Sequence, residues 1–196
     1  MNLSHLQSSD AGRVLVMLAR AAIGSQLGHN LPVAAAAPWL QAPGATFITL
    51  TAEDKLRGCI GTLEAYRPLA EDVTVNAVAA AFRDPRFKPL TKAEFATVDI
   101  EVSLLSAMED LHCDDEADAL AQLRPGVDGV VLHYGHYRST FLPQVWEQLP
   151  DRAEFLAHLK HKAGLPRHFW DSEMKLSRYT VYKWREADLC NKDAEH

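Results

Sequence analysis

Residues 56–61, with the sequence LRGCIG, are the part of the chain best suited to chemistry. Side chains on a strand alternate between two faces, so Arg57 and Cys59 share a face about 7 Å apart. A guanidinium group at that distance favours the thiolate form of a cysteine. Gly58 and Gly61 weaken a strand interior, and glycine there often marks a bulge or a close approach of another group. The segment therefore predicts a ligand-binding surface formed by these four residues.

Cys59 has two interpretations that the residues alone leave open. A free cysteine is most often a small buried hydrophobe, which would make Cys59 a core residue. A catalytic thiol needs a neighbouring base, and the spacing identifies no histidine in that role. If the chain is an enzyme, Cys59 is the candidate catalytic residue. Whether it is an enzyme stays open at this point.

A second charged cluster, Arg83-Asp84-Pro85-Arg86-Phe87, follows a predicted helix. Two arginines on a rigid turn form a reasonable anion clamp, because the guanidinium fork matches carboxylate and phosphate groups. Solvated charge at a helix end is the alternative, since short charged motifs have low specificity. We add Asp84 and Arg86 to the candidate ligand-binding residues.

Histidines occur in two pairs with metal-like spacing, His133 with His136 and His158 with His161. A zinc or iron site needs further ligands, and neither a Cys-x-x-Cys nor a His-Glu-x-x-His pattern is present. The sequence therefore predicts no metal site and gives no sign of a cofactor.

The composition is that of a folded globular protein, with 196 residues, 47% hydrophobic and 23% charged. A formal net charge of −6 argues against nucleic acid as a partner. The most apolar stretch, residues 14–23, carries Arg20 and is shorter than the roughly 20 apolar residues of a membrane span. Three scattered cysteines and a start without a secretory pattern predict a cytoplasmic protein.

Hydrophobic periodicity and turn signals predict an α+β fold with a largely antiparallel sheet and packed helices. The strands come mostly in hairpins, and helices are inserted between pairs of strands. The predicted helices cover residues 10–24, 68–84, a short segment from Thr91, 114–123 and 151–164. Thr91 and Glu94 fit a capping box at the start of the short segment. The predicted strands cover residues 45–51, 56–63, 98–104, a hairpin around Gly135-His136, and 177–186.

Several of these segments together resemble the AMMECR domain family, whose bacterial and archaeal members are labelled protein A of the AmmeMemoRadiSam system. The similar segments are LRGCIGT at 56–62, AFRDPRFKPLTKAEF at 81–95, IEVSLLS at 100–106 and FLAHLKHKAGL at 155–165. The resemblance implies a single domain over residues 1–196 with a core at about 10–186. It also implies two unequal lobes flanking a cleft, with LRGCIG near that cleft.

The resemblance implies a role beside a Memo-like protein and a radical SAM protein. We expect the chain to bind a small anionic ligand or a peptide segment near LRGCIG. A cysteine-dependent enzyme using Cys59 is the first alternative, and a non-catalytic adaptor for the Memo-like or radical SAM partner is the second. Many family members have a cysteine where this chain has Lys160. If that cysteine acts together with the LRGCIG cysteine in those proteins, Lys160 puts such a two-thiol mechanism in doubt for this chain.

Overall fold

The computed structural model describes residues 9–32 and 37–191 and shows an α+β fold, as predicted. The chain divides into two compact units. Unit 1 holds the described residues up to Leu105 together with those from Tyr182, and unit 2 is Ser106–Val181. The arrangement of both as a single domain with a cleft stays a prediction.

The helices and strands are numbered in chain order. The helices are α1 Ser9–Gln26, α2 Leu69–Phe82, α3 Lys92–Phe95, α4 Glu116–Gln122, α5 Arg152–Ala163 and α6 Glu186–Asn191. The strands are β1 Pro43–Gly44, β2 Thr46–Ala52, β3 Lys55–Gly61, β4 Arg67–Pro68, β5 Asp99–Leu105, β6 Glu109–Leu111, β7 Gly129–Tyr134, β8 Tyr137–Phe141, β9 Lys175–Tyr179 and β10 Val181–Arg185. None of these helices has the length and apolarity needed to span a membrane.

Unit 1 is built on a four-stranded sheet with the strand order β10-β5-β2-β3. Helix α2 packs on β2 and β3, and α1 packs on α2 and β5. Alternate residues of the strands enter the core, among them Ile48, Leu50, Ile100 and Val102, each fully buried. Because β3 is the last strand in this order, it is an edge strand of the sheet, and the LRGCIG segment lies along it.

Strands β2 and β3 form the predicted antiparallel hairpin, with Phe47 opposite Gly61 and Ala52 opposite Lys55. The turn places Glu53 and Asp54 at φ +52° and +58°. Positive φ at both central residues is the type I′ geometry, whose twist matches that of paired strands. The prediction that LRGCIG pairs with the preceding strand is confirmed.

A β-bulge interrupts the hairpin at Arg57. Leu50 lies opposite Gly58, whereas Thr51 lies opposite Leu56, so Arg57 has no direct cross-strand partner. The simple alternation that placed Arg57 and Cys59 on one face therefore fails at this residue. A bulge redirects the side chain that it carries.

Unit 2 contains a second four-stranded sheet, in the order β6-β9-β7-β8. Its core is held by the Trp146 and Phe155 rings, whose centroids lie 3.6 Å apart. Strands β7 and β8 form the predicted hairpin, and Gly135 at its turn has φ +55°. Helix α5 ends at Gly164, as predicted, in the left-handed conformation.

The structure differs from the sequence predictions in helix α1, in the last predicted strand and in three short strands. Helix α1 continues through Gly24 to Gln26, because a glycine inside a helix costs only about 1 kcal/mol and packing can offset it. The single strand predicted over residues 177–186 is two strands, β9 and β10, which belong to different sheets. Strands β1, β4 and β6 were not predicted, since two or three residues carry too little periodicity.

Gly58 allows α2 and β3 to approach each other closely. A Cβ atom at Gly58 would lie 2.3 Å from the carbonyl oxygen of Ala80 in α2. The obstructing atom is backbone, so it cannot move without shifting the helix. This glycine is required by packing.

Gly58→Ala should lower the free energy of unfolding by at least about 2 kcal/mol, because overpacking against a fixed backbone forces α2 off the sheet. Urea denaturation measures the change. Gly126→Ala is the control: no neighbouring atom lies within 4 Å of a Cβ there, and only the strain of φ +76° operates. That strain costs about 1 kcal/mol. Equal losses in the two variants would contradict the packing argument.

Lys160 in α5 is completely buried, and its ammonium group donates a hydrogen bond to Glu116 Oε1 of α4 at 2.6 Å. The carboxylate partner is about one-third exposed. A buried charge needs its counter-charge, because removing one partner leaves the other desolvated without compensation. The pair thus ties α4 to α5 in unit 2.

Glu116→Gln should destabilise the protein by about 2 kcal/mol, whereas Lys160→Met should leave its stability unchanged or raise it. The first variant leaves a buried ammonium group without its counter-charge. The second replaces that group with an apolar chain of similar length and leaves only the Glu116 carboxylate, which is about one-third exposed to water. Urea unfolding followed by Trp fluorescence compares the two. A larger loss from Lys160→Met than from Glu116→Gln would contradict the expectation.

Candidate functional site

The candidate site lies on the free edge of β3, where the backbone of Cys59 points away from β2. Thr62 N donates to Thr46 O of β2 at 2.9 Å. Successive residues of a strand point their backbone groups to opposite sides, so Gly61 and Cys59 direct theirs outward. Among the described residues, the sheet has no strand beyond β3.

Side chains from the loop after α2 occupy the outward backbone groups of Cys59. The Cys59 N–H donates to Asp84 Oδ2 at 2.9 Å, and Arg86 Nη2 donates to the Cys59 carbonyl oxygen at 3.2 Å. Asp84 is buried, and it also accepts from Arg86 Nε at 2.9 Å and Nη2 at 2.7 Å. The Asp84–Arg86 pair therefore does at Cys59 what a neighbouring strand would do.

The electrostatics of this pair follow from its geometry. The Arg86 side chain holds the pKa of the Asp84 carboxyl well below its usual range, and burial only partly opposes that effect. Asp84 in turn raises the pKa of Arg86. Both groups are ionised, and their charges cancel beside Cys59.

The Cys59 side chain lies on the face of the sheet turned away from α2, half-buried beside Thr49. The Thr49 hydroxyl donates to Sγ at 3.4 Å. Cys59 is therefore not enclosed in the apolar core. Cys113, the other free cysteine with a described side chain, is in unit 2, and burial raises its pKa.

Arg57, redirected by the bulge, pairs with Glu94 of α3. Its Nε donates to Glu94 Oε1 at 2.8 Å, and its Nη2 donates to Glu94 Oε2 at 3.2 Å and to the Lys88 carbonyl oxygen at 2.9 Å. The same carboxylate completes the predicted capping box with Thr91. The Arg57 guanidinium group lowers the pKa of Glu94 to about 2.

One nitrogen of Arg57 is left over. Its Nη1 atom is buried and has no hydrogen-bond partner among the described residues; no other buried side-chain nitrogen or oxygen in the described part of the chain lacks such a partner. Both arginines lie over the Phe87 ring, with Arg57 Cζ 5.9 Å and Arg86 Cζ 5.5 Å from its centroid. The site thus places a thiol, two guanidinium groups and an aromatic ring together.

The structure brings the predicted residues Arg57, Cys59, Asp84 and Arg86 together, but with different partners from those expected. Arg57 binds Glu94, and Arg86 is the arginine that reaches Cys59, through its backbone. The two arginines do not form an open anion clamp, because each is already paired with a carboxylate.

The sequence predicts that Gly58 and Gly61 belong to a ligand-binding surface. In the structure, the groups that approach these two glycines belong to the protein itself. The group that approaches Gly58 is the Ala80 carbonyl oxygen, as described above. At Gly61, a Cβ atom would lie 2.3 Å from the Phe47 ring. The register directs the backbone groups of Gly61 away from β2.

Sequence reasoning missed Glu94 and Phe87 as members of the site. Glu94 was identified only as a helix cap, and that role concealed its second one.

Sequence reasoning also missed a network of buried polar groups around Asp72, which is fully buried. Asp72 accepts from Thr46, Thr62, Arg67 and Asn76. The signal was present, because Asp72 and Asn76 interrupt the apolar face of α2 at a spacing of four.

Potential metal ligands do not converge in the described part of the chain. In residues 9–32 and 37–191, no group of three or more histidine, cysteine, aspartate or glutamate side chains is placed to hold a metal ion. His158 lies 3.7 Å from Glu154 on the same helix.

Comparisons with known proteins give matches that cover most of the chain. The family model AMMECR1 matches residues 16–184. A protein of Methanothermobacter thermautotrophicus is 38% identical over 185 residues, which cover 91% of this chain and 96% of that protein. A protein of Methanocaldococcus jannaschii is 36% identical, covering 93% and 94%. The crystal structure of an uncharacterized protein from Pyrococcus horikoshii has a TM-score of 0.78 and 34% identity, covering 90% and 92%.

The Arg57–Glu94 pair should make stability depend on acid pH. Because Glu94 has a lowered pKa in the folded state, its contribution is present above pH 4.5 and is lost as the pH falls towards 2. Glu94→Gln should therefore destabilise the protein by about 1 kcal/mol at pH 7, a value discounted for solvent screening, and by less at pH 3. Urea midpoints at both pH values measure this, with Glu147→Gln, which changes an exposed glutamate in unit 2, as the control. A Glu94→Gln effect that does not shrink at pH 3 would refute it.

Proposed function

The chain belongs to the AMMECR1 family, and we propose that it binds a small anionic ligand or a peptide segment at the LRGCIG edge of β3. The observation that carries this proposal is the unpartnered Nη1 atom of Arg57. A buried donor without an acceptor costs about 1–3 kcal/mol. A ligand oxygen at this position would remove that cost, so the site favours an occupant.

Two further features support ligand binding. The Arg86 side chain is about half exposed, so it can donate to a ligand without leaving Asp84. The Phe87 ring lies beneath both guanidinium groups and offers an apolar surface. A ligand that combines an acceptor oxygen with a short apolar part fits these groups.

Binding has better support than covalent catalysis by Cys59. A nucleophilic thiol needs a base to take its proton. Asp84, the acidic residue that contacts the Cys59 backbone, is a poor base because Arg86 holds its pKa so low. The described hydrogen bond at the thiol comes from the Thr49 hydroxyl, which is not a base at neutral pH.

We also propose that this binding serves a system that includes a Memo-like protein and a radical SAM protein. The support for these partners is the family resemblance of the LRGCIG segment and of residues 81–95. A non-catalytic adaptor would use the same edge of β3, with a segment of the partner as its ligand.

Acetate and inorganic phosphate, titrated at constant ionic strength, should produce saturable NMR shifts at the amides of residues 57–61 and at those of Asp84, Arg86 and Phe87. Arg57→Lys should weaken this binding about tenfold, because lysine keeps the charge but lacks the Nη1 donor. Amide spectra of the variant establish that it folds.

Arg185→Lys is the matched control, since Arg185 also binds carboxylates, Asp54 and Asp99, in unit 1. It should leave the titration unchanged. Binding of a small anion is refuted if neither anion shifts the LRGCIG amides, or if Arg57→Lys binds both anions as the wild type does.

A further inference from the structure

The edge of β3 offers a peptide backbone the hydrogen bonds that an added strand needs. Cys59 and Gly61 both direct an N–H and a carbonyl oxygen outward, as the register shows. At Cys59 these groups are held by a carboxylate acceptor and a guanidinium donor. One acceptor and one donor at this spacing are what a residue of a paired strand supplies.

We propose that the ligand of this site is an extended peptide segment of a partner protein that adds to the sheet along β3. The inference rests on the proposed function and names the class of its ligand. The peptide backbone replaces Asp84 and Arg86 at Cys59 and pairs with the outward groups of Gly61. Asp84 and Arg86 thus guard the edge until the peptide arrives, since an unprotected edge strand invites pairing with any chain.

The charges of the site favour a peptide over a free anion. Arg57 is compensated by Glu94, and Arg86 by Asp84, so little net positive charge attracts a bare anion. A strand instead gains affinity from main-chain hydrogen bonds and specificity from alternate side chains. One acidic side chain on the peptide, placed opposite the bulge, would reach the Nη1 atom of Arg57.

The bulge limits the length of the docked segment. Pairing can extend from Gly61 back to Cys59, but the bulge at Arg57 twists the edge and ends regular pairing. Residues 59–61 span about 7 Å at about 3.3 Å per residue, so the paired part of the peptide is about three residues long. The ligand is therefore a short linear segment.

The test uses the full chain and a seven-residue peptide of alternating threonine and valine with one central glutamate, acetylated and amidated at its ends. Saturating peptide should slow hydrogen exchange of the Gly61 amide at least tenfold. A second peptide, N-methylated at the amides that would face β3, should bind at least tenfold more weakly, because N-methylation removes the pairing donors. This comparison uses the wild-type protein.

Weakening the Asp84–Arg86 pair distinguishes peptide pairing from simple anion binding, because it should raise the affinity for the peptide, whereas the loss of an arginine should lower the affinity for an anion. Arg86→Gln should bind the peptide at least threefold more tightly, because a weaker guard is easier to displace. Arg124→Gln is the matched control: Arg124 is half-exposed and pairs with the buried Asp128 in unit 2. It should leave peptide affinity unchanged.

The outcomes separate this inference from the proposed function. If acetate or phosphate binds but the peptide does not protect Gly61, or if N-methylation has no effect, the peptide inference is overturned and the proposed function stands. If neither the anions nor the peptide binds, both fall. Protection of Gly61 that rises with protein concentration alone would show a second copy of the chain as the occupant, which also overturns the inference.

Discussion

The contact between Gly58 of β3 and the Ala80 carbonyl oxygen of α2 determines the geometry of the whole site. Only a residue without a side chain lets the helix come this close to the strand. Because α2 ends two residues after Ala80, the loop that follows starts directly above the edge of β3. Leu90 N then donates to Ala81 O at 2.8 Å and returns the loop to the helix. Asp84 reaches Cys59 as a consequence of this packing.

Charge at the site is organised in compensated pairs. The arginines of LRGCIG and of the loop after α2 each have a carboxylate partner within hydrogen-bond distance. Such pairs exert little long-range attraction, so recognition depends on short-range hydrogen bonds and shape. The chain has a formal net charge of −6, although its candidate site contains two guanidinium groups. Neither the whole chain nor the site therefore attracts anions over a long range.

Local patterns predicted the elements, and the contacts between distant residues needed the structure. The hairpin of β2 and β3, helix α2 and the capping box at Thr91 follow from alternation, periodicity and capping chemistry, which act over a few residues. The bulge at Arg57 could not be predicted, because alternation presumes uniform pairing. The contact between Asp84 and Cys59 joins residues 25 apart, and that between Lys160 and Glu116 joins residues 44 apart. Such pairs depend on how the elements pack.

The ends of unit 2 are joined to each other. Ser106 N donates to Thr180 O, and Thr180 N donates to Ser106 Oγ, both at 2.9 Å. The strands that flank unit 2 in the chain, β5 and β10, are neighbours in the sheet of unit 1, so a short turn could connect them directly. Compact units with adjacent ends are the ones that chains accept as insertions. Unit 2 is therefore inserted in the chain between two neighbouring strands of the unit 1 sheet, and a change of sequence within one unit leaves the connectivity of the other intact.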